Sequence, residues 1–200
     1  MDAQSFQQAK QYAFGRLERE LSPNLVYHGL RHTRDEVVPW AEKLGPLEGI
    51  SGEALDLLRT AAWFHDIGFV EGPANHELVS IRIAMEVLPG FGYTPAGIEV
   101  IRGAILATIL PQAAITPIEK ILADADLNVL GSTNFQTRSN DLRQERALYG
   151  IDFTDVEWYQ GQLKFLEDHD YFTQSAYTLL NPQKLLNIAA LKQELISLAS

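Results

Sequence analysis

The segment from Leu58 to Phe69 constrains the fold more than any other part of the chain. It reads LRTAAWFHDIGF, an apolar run of helical character that ends in adjacent imidazole and carboxylate groups, His65 and Asp66. Gly68 follows and can end the helix. Burying both polar groups is costly unless they are paired, and a divalent metal ion would pair with both. A lone His-Asp pair is equally compatible with a helix end and a turn, so the metal interpretation depends on ligands elsewhere.

Two histidines stand upstream of this segment at helical spacing. His28 and His32 are four residues apart, and an apolar pattern follows from Val37 to Leu44. The pattern predicts that His32 lies in the first turns of a helix that faces the core. Histidines at this spacing are often structural, and the His-Asp pair further along is what favours a ligand role for His32.

Two aspartates lie in a third informative stretch, the apolar run from Ile121 to Leu130. Carboxylates seldom occupy so apolar a run without a partner. In a helix, Asp124 and Asp126 face different sides, so at most one of them points at any given site. The spacing leaves open which of the two does so.

Two further segments contain histidine. His76 follows Asn75, which fits a helix N-cap, and it lies where backbone N–H groups favour an anion. It is either an exposed first-turn residue or a second metal ligand or phosphate contact. The second His-Asp pair, His169 and Asp170, has acidic, turn-like surroundings. We expect that pair on a solvated surface, without a catalytic role.

Helical periodicity extends through almost the whole chain, and no run alternates in the way that predicts a strand. The expected fold class is therefore all-α, a single-domain helical bundle over residues 1–200. Helices at 134–198 are expected to pack on a motif-bearing core at about 25–130, and a loop is expected between Gly45-Pro46 and Gly52. The predicted helices run over 3–21, from His32 to Leu44, from Ser51 to His65, from His76 to Leu88, from Pro95 through Thr108 to an end marked by Pro111, from Pro117 to Leu127, and over 135–149, 154–166 and 182–198.

Charge and composition limit the classes of partner. The formal net charge of −10 repels polyanions, so a nucleic acid polymer is not expected, whereas a small phosphate-bearing substrate can be held by a local cation. No apolar run approaches the roughly 18 residues that span a bilayer, and the first residues lack a targeting pattern, so we expect a cytoplasmic protein that does not contact membranes. The chain has no cysteine, so any metal must be held by His, Asp or Glu. Core packing or a homodimer interface would equally suit the apolar C-terminal residues Leu185, Leu186, Ile188 and Leu191.

Together, these segments offer His32, the His65-Asp66 pair and an aspartate near 126. Two imidazoles and two carboxylates make a nitrogen and oxygen site that suits a divalent ion such as Mn²⁺, Fe²⁺, Co²⁺, Ni²⁺ or Zn²⁺, and Mg²⁺ also stays open. Such a site generates hydroxide near neutral pH and polarises phosphoryl oxygens. Hydrolysis of a phosphate ester is therefore the chemistry that this residue set predicts.

The ordered set resembles the HD superfamily of metal-dependent phosphohydrolases, helical proteins named for the adjacent His-Asp pair. The resemblance covers roughly residues 25–130 and rests on YHGLRH at 27–32, AWFHDIGF at 62–69, HELVS at 76–80 and LADADL at 122–127. These segments look like the corresponding segments of the small, single-domain bacterial members. It implies a bundle of the HD type with the metal site in its helical core.

The resemblance also implies roles for individual residues. Asp126 is preferred over Asp124 because the last aspartate of the family usually sits in an Ala-Asp-x-Leu-like context, although Ala123-Asp124 keeps the alternative open. His28 matches a position that donates a proton to the leaving oxygen in related phosphodiesterases, and Asp66 could orient the attacking water. The implied metal ligands are His32, His65, Asp66 and Asp126.

One departure from the family pattern bears on metal number. Binuclear members supply extra histidines after the His-Asp pair, whereas this chain has only His76, with Ala107-Thr108 where another is expected. This favours one tightly bound ion and counts against the di-iron oxygenase branch. The candidates for contacts to substrate or to a weak second metal are His76, Glu77, Asp124 and Thr108.

The function expected from these residues is hydrolysis of a small phosphomonoester or phosphodiester, with nucleotides among the candidates, by metal-activated water. The alternative is a sensor domain that binds a nucleotide or metabolite through the same metal without turnover. Residue patterns do not identify the substrate, because specificity lies in the shape of the pocket.

Overall fold

The computed structural model describes residues 3–199, and over this range the chain is all-α with no strand, which confirms the predicted fold class. A π-helical turn at His32–Val37 leads into the second helix, and 3₁₀ turns lie at Ile67–Glu71, Leu88–Phe91 and Asn128–Gly131. The helices of the described range are α1 (Ala3–Glu20), α2 (Val38–Leu47), α3 (Gly52–Phe64), α4 (His76–Val87), α5 (Pro95–Leu106), α6 (Pro117–Asp126), α7 (Phe135–Leu148), α8 (Asp155–Asp168) and α9 (Gln174–Leu198).

Threonine caps fix several helix starts. The Thr94 side chain accepts a hydrogen bond from the Gly97 N–H, and Pro95 occupies the first turn of α5. Capping boxes centred on Thr116 and Thr154 start α6 and α8. The starts predicted at Pro95 and Pro117 are therefore confirmed, because local cap chemistry determines them.

Two predicted helix boundaries are wrong, and tertiary packing explains both. No loop begins at Gly45-Pro46, since α2 continues to Leu47. A Cβ on Gly45 would lie 2.9 Å from the Leu55 side chain, so this glycine permits close packing of α2 on α3 and does not end the helix. Pro182 lies inside α9, which begins at Gln174.

Packing on both sides of Pro182 holds α9 continuous. Leu180 before the proline and Leu191 after it are both buried, so the two halves of the helix are anchored to the rest of the fold. The Thr173 side chain caps the start of α9 by accepting a hydrogen bond from the Ala176 N–H. Proline removes one helical N–H, and this apolar burial outweighs that loss.

The core contains two apolar clusters, and α3 runs through the larger one. Leu58, Ala61, Ala62 and Phe64 have no exposed surface, so the helix that leads to His65 is enclosed by its neighbours. The smaller cluster joins the C-terminal helices to residues of the motif-bearing region; its buried members are Tyr27, Val129, Leu130, Phe135, Leu166 and Leu191. Within residues 3–199, no helix is both long and apolar enough to cross a membrane.

Candidate metal centre and adjoining cavity

Three separate segments bring two histidines and two aspartates together. His65 and Asp66 follow the end of α3, His32 begins the π-helical turn, and Asp126 is the last residue of α6. His32, His65 and Asp66 are buried, and each offers one ligand atom within 4.8 Å of the others. His32 Nε2 lies 3.1 Å from Asp126 Oδ1, and His65 Nε2 lies 3.3 Å from Asp66 Oδ2 and 3.5 Å from Asp126 Oδ1. This group could hold a metal ion.

The hydrogen bond of His65 defines which ring nitrogen is available. Its Nδ1 lies 2.8 Å from the Ala62 carbonyl oxygen, so in the neutral ring Nδ1 carries the proton and donates to that carbonyl. Its Nε2 is buried and has no hydrogen-bond partner among the described residues. A lone pair then faces the carboxylates of Asp66 and Asp126, which is unfavourable unless a cation or proton lies between them. The donor set therefore fits a divalent metal ion.

A carboxylate outside the predicted set orients His32. His32 Nδ1 lies 3.3 Å from Glu36 Oε2, which directs Nε2 towards Asp126. Arg138 lies against the same carboxylate, with Nε 2.9 Å from Glu36 Oε1, and it donates from Nη2 to the Tyr27 carbonyl at 2.8 Å. Arg138 is only 1% exposed, so this is a buried charge network. The four-residue spacing from His32 could have predicted Glu36, whereas Arg138 lies 102 positions beyond Glu36 in the chain.

The titration of this group follows from its charges. Burial alone would lower the pKa of His32, but hydrogen bonds to Asp126 and Glu36 outweigh it and raise the pKa to about 9. The pKa of His65 also lies well above its ordinary value, because the charges of Asp66 and Asp126 outweigh the effect of burial. Burial would raise the pKa of Asp126, but His32 and His65 lower it to about 2. The group therefore favours positive charge between two ionised carboxylates.

The structure shows which of the two aspartates of α6 lies beside the histidines. Asp126 lies with the histidines, whereas the Asp124 carboxylate accepts hydrogen bonds from the Phe172 N–H and from the N–H and hydroxyl of Thr173 at 2.7–2.8 Å. Asp124 thus fixes the start of α9, and burial raises its pKa against these hydrogen bonds. The prediction of Asp124 as a substrate or metal contact is wrong, because its oxygens are engaged away from the site.

His28 contacts a carboxylate that the sequence did not indicate. Its Nδ1 lies 2.5 Å from Glu145 Oε1, and the other oxygen of Glu145 accepts hydrogen bonds from the backbone N–H groups of Tyr27 and His28 at 2.8 and 2.9 Å. The His28 ring also stacks on Phe69, with centroids 4.6 Å apart. Glu145 lies 117 positions from His28, so nothing in the local sequence marks it. Together these contacts fix the orientation of the imidazole.

His76 and Glu77 lie beside the second oxygen of Asp66. His76 Nε2 is 3.3 Å from Asp66 Oδ1 and 3.4 Å from Glu77 Oε1, and its ring stacks on Phe69 with centroids 3.9 Å apart. Gly68 permits this arrangement, because a Cβ there would lie 2.0 Å from the His76 carbonyl oxygen. Asn75 precedes the helix as predicted, but its backbone is left-handed and its side chain makes no cap.

Thr108, the remaining candidate, lines the same cavity as the site, and its hydroxyl donates to the Ile105 carbonyl at 2.7 Å. That hydroxyl can still accept a hydrogen bond from a ligand, but its own proton is engaged. Thr108 therefore lies at the site without a direct interaction with the His and Asp side chains.

The second His-Asp pair lies elsewhere, and its histidine is not solvated as expected. The His169 ring is half-buried, packs edge-on to Tyr171 with centroids 4.7 Å apart, and has no hydrogen-bond partner for either nitrogen among the described residues. Lys184 donates to its backbone carbonyl. Burial and then the Lys184 charge lower the pKa of His169 to about 4. The prediction of a solvated ring is wrong because Tyr171 packs against the ring and Lys184 of α9 lies close to it.

A cavity of about 390 Å³ opens beside the candidate metal-binding group. One end is lined by Asp66, Asp126, His28 and His76. The rest is predominantly apolar and is formed largely by residues of α7, α8 and the segment between them. The volume falls in the range of small-molecule sites.

Comparisons with known proteins place this geometry on a known fold. No protein-family model matches the chain, and no curated protein matches it in sequence. Bacillus subtilis YpgQ in complex with ADP is 18% identical with a TM-score of 0.67, covering 94% of this chain and 92% of its own. A second structure of YpgQ has a TM-score of 0.66 at 18% identity, covering 95% of each chain. A Lactobacillus plantarum protein solved in structural genomics is 15% identical with a TM-score of 0.73, covering 99% of this chain and 98% of its own. At these identities the likeness establishes the fold alone.

Proposed function

We propose that this protein is a metal-dependent phosphohydrolase of the HD type that acts on a small phosphomonoester or phosphodiester. The observation that carries the proposal is the buried Nε2 of His65, which has no hydrogen-bond partner among the described residues and faces the carboxylates of Asp66 and Asp126. A divalent cation satisfies all three groups at once. The four motif segments that resemble the HD superfamily supply the same residues.

The residues that would hold the ion are His32, His65, Asp66 and Asp126, and Glu36 keeps His32 oriented towards it. When bound, a divalent ion at this position supplies hydroxide near neutral pH and polarises a phosphoryl oxygen. The donor set accepts Mn²⁺, Fe²⁺, Co²⁺, Ni²⁺, Zn²⁺ or Mg²⁺, and metal analysis of the purified protein would identify it. His76 and Glu77 offer a more open position for a weaker second ion or for substrate phosphate.

His28 is the proposed proton donor to the leaving oxygen. Its ring lines the cavity together with Asp66 and Asp126, which places it beside any phosphate held there. Glu145 accepts from Nδ1, so the opposite ring nitrogen is the one free to face the substrate. This pair favours turnover over mere binding, because a sensor needs no oriented proton donor.

Nucleotides are reasonable substrates on two grounds. The cavity is large enough for an organic group beyond the phosphate. Bacillus subtilis YpgQ, which shares the fold, has been solved in complex with ADP. A screen should therefore contain nucleotides as well as simple phosphate esters.

The experiment is a hydrolysis screen with Mn²⁺, Mg²⁺, Ni²⁺ or Fe²⁺ and with phosphomonoesters, cyclic nucleotides and nucleoside mono-, di- and triphosphates. Asp66→Ala should lower turnover about 1000-fold or more, because it removes a ligand. Asp170→Ala, in the second His-Asp pair, is the matched control and should retain wild-type turnover. Tight nucleotide binding without turnover under every condition would contradict the hydrolase and support the sensor alternative.

A further inference from the structure

The cavity continues from the metal-binding group into a chamber that the proposed chemistry does not use. We define this aromatic chamber by the side chains of Phe135, Phe153, Trp158 and Phe165, which line the same cavity as Asp66. We propose that it binds a flat heteroaromatic group of the substrate, and that Gln162 recognises a hydrogen-bond acceptor on the edge of that group. The proposal rests on the proposed function, because it places the organic part of the phosphate ester.

The walls of the chamber are rigid and planar. Phe153 and Trp158 contact each other with centroids 5.4 Å apart and planes inclined at 55°. Trp158 is 5% exposed and Phe135 is 4% exposed, so both are held by packing and need little ordering when a ligand binds. Aromatic side chains stack favourably on flat rings.

A directional chain of hydrogen bonds orients the one neutral amide in the chamber. Trp158 Nε1 can only donate, and it donates to Ser139 Oγ at 3.0 Å. The Ser139 hydroxyl in turn donates to Gln162 Oε1 at 3.2 Å. The Gln162 amide is assigned with its oxygen towards Ser139, because the Ser139 hydroxyl still has its own proton to donate after it accepts from Trp158.

The NH₂ group of Gln162 is left as a free donor. It has no hydrogen-bond partner among residues 3–199, and Gln162 lines the cavity. A ligand edge with a ring nitrogen or carbonyl oxygen would accept from it. An alkyl chain would suit the apolar walls but would desolvate the NH₂ without giving it an acceptor. A sugar would leave several hydroxyls against apolar walls.

The test is calorimetric titration of the full-length protein without added metal, using adenosine and uridine as flat probes and cyclohexanol and ribose as aliphatic and sugar probes. Adenosine and uridine carry acceptors on the ring edge and no phosphate. We expect binding of the nucleosides and not of the aliphatic or sugar probe.

Gln162→Leu should weaken nucleoside binding about tenfold, because it removes the donor. Gln162→Glu keeps the oxygen that accepts from Ser139 and replaces only the NH₂, so it should weaken binding at least as much. Gln160→Leu, on the exposed part of the same helix, is the matched control and should leave binding unchanged. Circular dichroism of each variant checks that it folds.

Two outcomes distinguish this inference from the proposed function. Nucleoside binding that depends on Gln162, in a protein that hydrolyses no phosphate ester, supports the chamber and rejects the hydrolase. Hydrolysis that depends on Asp66, in a protein that binds no nucleoside or binds it equally well in Gln162→Leu and Gln162→Glu, overturns the chamber and leaves the hydrolase standing.

Discussion

His65-Asp66 and His169-Asp170 have the same dipeptide sequence in opposite electrostatic surroundings. The ring of His65 faces two carboxylates, and its pKa is raised although burial opposes this. The ring of His169 lies near the Lys184 ammonium, and burial and that charge lower its pKa to about 4. One site attracts a cation, and the other repels it.

The difference between the pairs arises from residues distant in sequence. Asp126 and Glu36 supply negative charge around His65 and His32, whereas α9 supplies Lys184 near His169. A dipeptide alone therefore does not define a metal site. The surrounding charged side chains distinguish the two pairs, and each of them can be removed separately.

The largest expected effect separates the two pairs directly. His65→Ala should weaken Mn²⁺ binding about 1000-fold or more, because it removes one ligand and leaves two carboxylates facing each other. His169→Ala should change Mn²⁺ affinity less than about twofold, since that ring lies outside the site. Isothermal titration calorimetry measures both. Equal affinities of the two variants would show that the dipeptides do not differ in the way the structure indicates.

A smaller effect tests the carboxylate that orients His32. Glu36→Gln should weaken metal binding by about 10–100-fold, because residues that orient a ligand imidazole typically contribute this much. Asp35→Asn is the matched control, because the Asp35 carboxylate is paired with Arg34 on the surface. Titration of both variants with Mn²⁺ measures the two metal affinities. An unchanged affinity in Glu36→Gln would mean that His32 needs no support from this carboxylate.

The two aspartates of α6 should have separable roles. Asp124→Asn should lower the free energy of unfolding by about 1–3 kcal/mol with metal affinity retained, because the charge that accepts the Thr173 and Phe172 hydrogen bonds is lost. Asp126→Asn should instead reduce metal binding. Urea denaturation and metal titration of each variant test the distinction. Loss of metal from Asp124→Asn, with the fold intact, would contradict the placement of Asp124 at α9.

The smallest expected effect is a pH dependence from His169. Its folded pKa of about 4 lies below the unfolded value, so the unfolded chain binds more protons between these values. The stability associated with the neutral ring is complete above about pH 6.5 and falls as the pH drops towards 4, by about 1 kcal/mol after allowance for partial exposure. Urea denaturation at pH 7 and pH 4.5 should show a smaller loss in His169→Leu than in wild type. If His169→Leu lost as much unfolding free energy between pH 7 and pH 4.5 as the wild type, the pH dependence would come from other groups.

Local sequence predicts the parts of this molecule that local chemistry determines. The starts of α5 and α6 follow from threonine and proline at the cap positions. The predicted loop at Gly45 and the predicted helix start at Pro182 are wrong. Packing against Leu55 and burial of Leu180 outweigh the usual helix-breaking effect of glycine and proline. Fold class could be predicted because helical periodicity extends along nearly the whole chain.

At the candidate site, too, some residues could be predicted from local sequence and others only from the folded chain. His32 and the His65-Asp66 pair could be identified from spacing and apolar context, and the choice between Asp124 and Asp126 needed three-dimensional structure. Glu145 approaches His28 from 117 positions away, so only the folded chain reveals it. The roles of these residues in metal binding and catalysis stay predictions.

Metal binding by the two histidines and two aspartates is best tested by a crystal structure of the protein grown with Mn²⁺, with anomalous diffraction used to locate the ion. We expect one strong anomalous peak about 2.0–2.2 Å from donor atoms of His32, His65, Asp66 and Asp126. A peak elsewhere in the molecule, or none at a saturating Mn²⁺ concentration, would contradict it.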